Sequence, residues 1–304
     1  MSCLRPWLGG PLALVPRRPV CHACTHSPRH QRGGRHAGLD QGRGVLVRVQ
    51  PRAWIGLVVW ALYLAVVVVI QASSGISYSE FGDSAENLWR GAVLSLAVGA
   101  VLVAVVTTWL GWWRPALRER RPTKARWTII APALLVVAVI GNLAATDWNA
   151  VGTDFVLAAV TLGVLVGFNE ELTSRGLFLT GLRSSTREVW VALLSSLLFG
   201  LMHGVNIFLG QSVGETAVQV GQAFLQGLVF YILRRVTGSL IWAMPLHGAW
   251  DVSTFTVGLG DASSPLGIFV LLAALFALVT FRFAARDAGE GADQPALRPE
   301  NAPG

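Results

Sequence analysis

The stretch VGFNEELTSRG, residues 166–176, places two adjacent carboxylates and an arginine at the end of an almost wholly apolar run. The run starts near Phe155 and reaches Glu170 after about 15 residues, whereas a helix needs about 20 to span a bilayer. If the helix continues through LTSRGLFLTGL to Arg183, it is long enough, and both glutamates then lie inside the membrane. Ionisable residues inside a membrane are costly and mark functional sites. The stretch therefore predicts a membrane helix that carries part of a functional site, with partners elsewhere in the chain.

The composition is that of a membrane protein. Of the 304 residues, 53% are hydrophobic and 13% are charged, about half the share of charged residues in a soluble domain, which is about 25%. Apolar runs of about 20 residues give eight candidate spans. Their approximate bounds are 54–72, 91–113, 127–146, 155–183, 189–209, 217–233, 238–258 and 266–282. The sequence predicts an all-α fold, a polytopic membrane bundle of about eight transmembrane helices.

Basic residues fall in alternate loops of this bundle. The loop 114–126 carries six basic residues and one acid. The later basic pairs are Arg183 with Arg187, Arg234 with Arg235, and Arg282 with Arg286. The intervening loops are acidic or neutral. Because cytoplasmic loops are enriched in Lys and Arg, we predict that all the basic loops and both termini are cytoplasmic. These arginines are interpreted as topology signals rather than substrate-binding groups.

The net charge of +7 arises in the N-terminal tail. Residues 1–52 hold nine arginines and one acid, Asp40, so the remaining residues sum to −1. The tail also holds the three cysteines, of which Cys21 and Cys24 form a Cys-x-x-Cys motif among histidines. A zinc site is one interpretation of that motif. A disordered basic tail is the other, since hydrophobic residues for a zinc-stapled fold are lacking. Interleaved aromatic residues are also lacking, so no nucleic-acid partner is predicted.

The chain is therefore divided into five segments. A basic tail is expected over 1–52 and N-terminal transmembrane helices over 53–150. A catalytic transmembrane core is expected over 151–260, a last transmembrane helix over 261–285 and a second disordered tail over 286–304. The bias toward Ala, Gly, Arg and Val, with few Lys, indicates a GC-rich bacterial source and hence the bacterial cell membrane.

The membrane body has only two histidines, His203 in FGLMHG and His247 in LHGAWD. A helix rises about 1.5 Å per residue, which puts Glu170, both histidines and Asp251 roughly 15–22 Å from the basic ends of their helices. Four ionisable groups on three helices thus share one membrane depth. A backbone-bonded core histidine is the ordinary alternative, but two such residues at one depth favour a functional site.

Spacing within each motif adds detail. Positions i and i+4 share one face of a helix, which pairs His247 with Asp251 and Glu171 with Arg175. The second pair is predicted to form an ion pair and to leave Glu170 facing the histidines. Phe199, four residues before His203, is predicted to form a wall of the site. Three glycines beside the histidines are expected to allow close helix approach; they are Gly200, Gly204 and Gly248.

Two chemistries suit a glutamate beside two imidazoles. Glu170 could act as general base toward a water molecule, with histidines stabilising the oxyanion. Alternatively, Glu170, His203, His247 and Asp251 could hold a divalent metal, for which the ligand types suit zinc. No HExxH motif is present, so a metal is not required.

The motifs EELTSR, FGLMH and HGAWD resemble the EExxxR, FxxxH and HxxxN/D motifs of the CPBP family. These are the CAAX prenyl endopeptidases and bacteriocin-processing intramembrane proteases, and the resemblance covers about residues 155–255. It implies a helical membrane peptidase in which Glu170 activates water and His203 and His247 complete the site. Asp251 would stand where many relatives have Asn, with Glu171, Arg175 and Phe199 in support. The family has been described both as metalloproteases and as metal-independent glutamate peptidases, and the motifs do not decide between them.

Three functions are therefore weighed. The first is an intramembrane endopeptidase acting on a membrane-associated or lipid-modified peptide or protein. The second is a proton-coupled carrier in which the same ionisable residues relay protons, although no internal repeat supports it. The third is a non-catalytic immunity or scaffold protein of the same fold, for which loss of Glu170 or a histidine would have been expected.

Overall fold

The computed structural model describes residues 47–259 and 267–286, and this part of the chain is helical. Eight long helices account for most of it: α1 Ala53–Ser73, α2 Ala85–Leu110, α3 Arg126–Ala145, α4 Thr153–Leu182, α5 Glu188–Leu209, α6 Val213–Thr237, α7 Ala243–Leu259 and α8 Ile268–Ala285. Within the described ranges no strand is present, and one isolated antiparallel bridge joins Arg118 to Ser239. The predicted all-α membrane bundle is confirmed. Most of each predicted tail lies outside the described residues.

Seven of the eight helices are long and apolar enough to cross a membrane. The exception is α7, which has 17 residues and follows a short 3-10 turn, Leu240–Trp242. This helix is the one expected over 238–258. Large apolar side chains on the other helices face outward, such as Val101, Val164 and Val279, each more than 60% exposed. Such a surface suits lipid rather than water.

Helix α4 continues past the two glutamates to Leu182, as predicted from the length of its apolar run. The segment Leu172–Phe178 is wound as a π-helix between two α-helical parts. A π-helical turn inserts one extra residue into the helix and is common at functional sites. Here it carries Arg175, which is fully buried. The π segment thus contains the last four residues of the EELTSR motif.

Helices α4 and α7 approach each other closely through glycines. A Cβ added at Gly163 would lie 2.6 Å from the carbonyl oxygen of Gly248, and one added at Gly167 would lie 2.2 Å from that of Met244. Gly163 and Gly167 form a GxxxG pair, which lets membrane helices pack backbone to backbone. This contact brings His247 of α7 against the glutamates of α4. Of the predicted glycines, Gly248 is in such a contact, whereas Gly204 has open space beside it.

The basic end of the bundle is closed by a cluster of buried charges around Glu119, hereafter the Glu119 cluster. The Glu119 carboxylate forms ion pairs with Arg183 at 3.0 Å, with Arg235 at 2.8 Å and with Arg234 at 2.5 Å. Burial alone would raise the pKa of Glu119, but the three positive charges outweigh it and hold this pKa well below its usual range. Three of the arginines interpreted as topology signals therefore also tie the segment between α2 and α3 to the ends of α4 and α6.

Candidate active site

A partly open cavity of about 140 Å³ lies between the centre of the bundle and the end opposite the Glu119 cluster. Four predicted site residues line it: Glu170, His203, His247 and Asp251. They come from α4, α5 and α7, which the sequence placed at a common depth. One water molecule needs about 10–15 Å³ of such space, so this Glu170 cavity has room for several.

The buried ion pair between Glu171 and Arg175 lies next to His247 and fixes the orientation of its ring. Arg175 Nη1 donates to Glu171 Oε1 at 2.8 Å, and both side chains are fully buried. The same carboxylate oxygen accepts a hydrogen bond from His247 Nδ1 at 3.0 Å. A hydrogen bond to one ring nitrogen fixes the orientation of an imidazole and the position of its proton. Glu171 therefore holds His247 with Nε2 turned toward the other carboxylates.

The second nitrogen of His247 lies between two carboxylates. Its Nε2 is 3.9 Å from Glu170 Oε2 and 3.7 Å from Asp251 Oδ2. Glu170 Oε2 is buried without a hydrogen-bond partner among the described residues. Buried polar atoms are nearly always paired, so an unpaired carboxylate oxygen beside a cavity needs an explanation. The spacing of the motif predicted that Glu170 faces the histidines, and in the structure it lies beside His247.

The other histidine, His203, is held by its own helix. The carbonyl oxygen of Phe199 accepts a hydrogen bond from His203 Nδ1 at 3.0 Å. This is the backbone bond of an ordinary core histidine, yet the ring also lines the Glu170 cavity. Phe199 packs edge-on against both His203 and His247, with ring centroids 5.2 Å and 5.5 Å away. It also lies under the Arg175 guanidinium, whose carbon is 3.7 Å from the ring centroid. The predicted wall residue thus contacts three members of the site.

The predicted metal set does not fit a metal as it is placed. Among residues 47–259 and 267–286, no group of three or more His, Cys, Asp or Glu side chains is arranged to hold an ion. No step of the chemistry below is therefore routed through a metal.

Several residues that contact the site were not predicted from the sequence. Phe230 of α6 stacks on His247 with centroids 4.8 Å apart. Tyr78, in the short helix Tyr78–Asp83 between α1 and α2, and Gln219 of α6 are joined by a hydrogen bond on the cavity wall. Asn206 of α5 bonds to Gln219. An amide inside an apolar helix is a signal that could have identified Gln219, but nothing in the sequence marks Tyr78.

The helical bundle and its buried carboxylate–histidine cavity define a class: polytopic membrane proteins with a polar site inside the membrane. Residues 152–253 match the family model described as "Type II CAAX prenyl endopeptidase Rce1-like". This part of the chain is therefore similar to that family, consistent with the resemblance to the CPBP intramembrane proteases that the motifs indicated. The match includes every predicted site residue. Neither the curated proteins nor the solved structures gave a match to the chain.

Proposed function

We propose that the protein is an intramembrane endopeptidase that hydrolyses a peptide bond of a membrane-associated or lipid-modified peptide or protein. The observation that carries the proposal is Glu170 itself. Its carboxylate lines a cavity large enough for water, keeps 12% of its side chain exposed and has one oxygen without a partner. The Rce1-like match over the same helices supports a peptidase.

Glu170 acts as the general base. It takes a proton from a water molecule while the water oxygen forms a bond to the carbonyl carbon of the scissile peptide, whose π electrons move to the oxygen. The resulting tetrahedral intermediate collapses when the C–N bond breaks. Glu170 then returns the proton to the leaving amine. Positioned acid–base groups of this kind contribute about 10²–10⁴-fold to a rate.

The surrounding residues orient this chemistry. Glu171 and Arg175 keep His247 in place, so that its Nε2 faces Glu170 and Asp251. His203 lines the same cavity. Asp251, at 3.7 Å from His247 Nε2, offers a negative charge to that ring. An ionised Asp251 cannot donate a hydrogen bond to an oxyanion, as an asparagine could.

A divalent metal was the alternative to this mechanism. The two mechanisms differ in their response to a chelator. Dialysis of the purified protein against a strong chelator should leave cleavage unchanged if Glu170 acts on water directly. Loss of cleavage that added zinc restores would contradict the metal-free assignment.

The direction of access follows from the position of the cavity. Its lining comes from the parts of α1, α4 and α6 that lie away from the Glu119 cluster, with Tyr78 and Phe81 from the segment between α1 and α2. If the basic loops are cytoplasmic, as the positive-inside rule predicts, this cavity lies in the extracytoplasmic half of the bundle. The substrate would then be a peptide segment reached from that side, rather than a C-terminal tail in the cytosol.

Cysteine labelling tests this orientation. The membrane body has no native cysteine, so the three tail cysteines can be replaced and single ones introduced. Val68→Cys lines the cavity, and Arg120→Cys lies exposed at the opposite end. A membrane-impermeant maleimide applied to intact cells should label the first and not the second. The reverse pattern would contradict the orientation.

The proposed activity is tested by comparing peptide termini in host membranes that contain wild-type protein or Glu170→Gln. Mass spectrometry should find termini that appear only with wild type. Identical termini from two well-folded proteins would contradict the proposal. Proton flux would then separate the carrier from the non-catalytic scaffold.

A further inference from the structure

A row of hydrogen-bonded side chains crosses the wall of the Glu170 cavity. Asn206 Nδ2 donates to Gln219 Oε1 at 2.9 Å, and Gln219 Nε2 donates to the hydroxyl oxygen of Tyr78 at 2.7 Å. The first bond orients the Gln219 amide, so its nitrogen faces Tyr78. All three residues line the same cavity as Glu170 and Asp251. The row connects α5, α6 and the segment before α2.

This arrangement leaves the Tyr78 proton available. A phenol oxygen that accepts a hydrogen bond still has one O–H to donate, and Gln219 Nε2 cannot receive it. The ring is held in place by Phe81, with centroids 5.3 Å apart. The capping box formed by Ser77 and Glu80 fixes the backbone at the start of the same short helix. Burial raises the pKa of Tyr78 to about 12, so the phenol keeps its proton at neutral pH.

The proposed reaction requires such a donor. An oxyanion forms when water attacks the peptide carbonyl, and donors aimed at it supply a large share of catalysis. Asp251 occupies the motif position where an asparagine could donate, and as a carboxylate it can only accept. His203 Nδ1 and His247 Nδ1 are both committed to other partners. A neutral imidazole that donates from Nδ1 can only accept at Nε2, so the motif residues supply no donor for the oxyanion.

We propose that Tyr78 supplies the missing hydrogen bond to the oxyanion of the tetrahedral intermediate. This inference rests on the proposed peptidase function. Tyr78 keeps its proton throughout, because the water proton goes to Glu170 and from there to the leaving amine. The donor thus comes from outside residues 152–253, the part of the chain that matches the Rce1-like family. In this proposal the segment between α1 and α2 contributes directly to catalysis.

The test is Tyr78→Phe, which removes the hydroxyl and keeps the ring. With a peptide whose cleavage has been identified from the membrane termini, kcat should fall about 10²–10³-fold, as on removal of an oxyanion donor. KM should change little, because the oxyanion exists only after attack. Tyr231→Phe is the matched control, since it removes a buried hydroxyl that binds Glu188 far from the cavity. An unchanged kcat in Tyr78→Phe would overturn the inference.

A second measurement applies even if the phenylalanine variant fails to fold. Incorporation of 2,3,5-trifluorotyrosine at position 78 keeps the shape but lowers the pKa of the phenol. If Tyr78 donates, cleavage should be lost at the alkaline pH where this phenol ionises, whereas wild type stays active. An identical pH profile would contradict the role. The peptidase activity is established first, by cleavage that wild type performs and Glu170→Gln does not. A negative result for Tyr78 would then contradict only its role as donor and not the proposed peptidase function.

Discussion

The molecule contains two clusters of buried charges, and they differ in how completely the charges are paired. In the Glu119 cluster, both carboxylate oxygens are bound by arginines, and Arg234 also donates to the carbonyl oxygens of Ala116, Pro115 and Arg175. At the candidate active site, by contrast, Glu170 and Glu171 each keep an oxygen without a partner among the residues that the structure describes. In the Glu119 cluster the one unpaired polar atom of the described residues is Arg235 Nη2, a donor, whereas Glu170 leaves an unpaired acceptor beside the cavity.

The contrast separates stability from function. Removing one partner of a buried ion pair strongly destabilises a protein, because the other charge is left buried and unpaired. An unpaired buried carboxylate is a cost that the fold carries, and strongly perturbed groups of that kind cluster at functional sites. The Glu119 cluster should therefore be a structural clamp, whereas Glu170 should serve the reaction. The clusters meet at one point, where Arg234 Nη1 donates to the carbonyl of Arg175 in the π segment.

The largest effect on stability is expected for Glu119→Gln. Removing this charge leaves three arginines facing one another at the basic end, and breaking a buried pair costs about 3–5 kcal/mol. We expect the upper part of that range, seen as a lower midpoint in thermal unfolding of the purified protein in detergent. A midpoint equal to wild type would show that the Glu119 cluster is not a clamp.

Glu171→Gln should cost somewhat less, about 3 kcal/mol, because it removes one partner from the buried Arg175 and loosens His247. Both stability and cleavage should fall. The matched control is Glu86→Gln, since Glu86–Arg90 is also an i, i+4 pair but is more than 60% exposed on both sides. Pairs of that kind contribute about 0.3–0.5 kcal/mol. If Glu171→Gln lost cleavage at wild-type stability, Glu171 and not Glu170 would be the base.

A smaller effect should follow Gly167→Ala. The added methyl would lie 2.2 Å from the carbonyl oxygen of Met244, so α7 must shift relative to α4. Overpacking of this kind costs about 1–3 kcal/mol. Because His247 lies on α7, cleavage should fall more than stability does. Gly221→Ala is the control, since that glycine has open space around it, and it should behave as wild type in both assays.

The smallest effect is a pH dependence of the Glu119 cluster. The pKa of Glu119 is depressed in the folded protein, so its contribution to stability is present above the unfolded value of about 4.3 and declines as pH falls below it. The difference in unfolding midpoint between wild type and Glu119→Gln should therefore shrink from pH 7 toward pH 3. A difference that stayed constant over this range would mean that the carboxylate charge is not responsible.

Much of this account could be predicted from the sequence. Continuation of α4 past the glutamates followed from the length of the apolar run, because about 20 residues are needed to span a bilayer. Helical rise then placed Glu170, His203, His247 and Asp251 at one depth, and the structure brings all four to one cavity. The Glu171–Arg175 ion pair followed from its spacing.

Other features depend on packing between segments distant in sequence. The hydrogen bond from His247 to Glu171 depends on α7 lying against α4, and i, i+4 spacing could pair His247 only with Asp251. Tyr78 and Gln219 are 141 positions apart, and no local pattern connects them. The π-helical segment also could not be predicted, because a hydrophobic period of 3.6 residues indicates only a regular α-helix. Glu119 is the single acid in a loop with six basic residues, and from the sequence alone it counted only toward the charge of that loop. Its ion pairs with three arginines depend on contacts between distant segments.

The most direct test of the central claim measures stability and cleavage together for Glu170→Gln. Because this carboxylate is buried with an unpaired oxygen, neutralising it should leave the unfolding midpoint equal to wild type or raise it. In the same membranes, the peptide termini produced by wild type should disappear. Retained cleavage, or loss of cleavage that merely follows a loss of folding, would contradict the assignment of Glu170 as a functional rather than a structural charge.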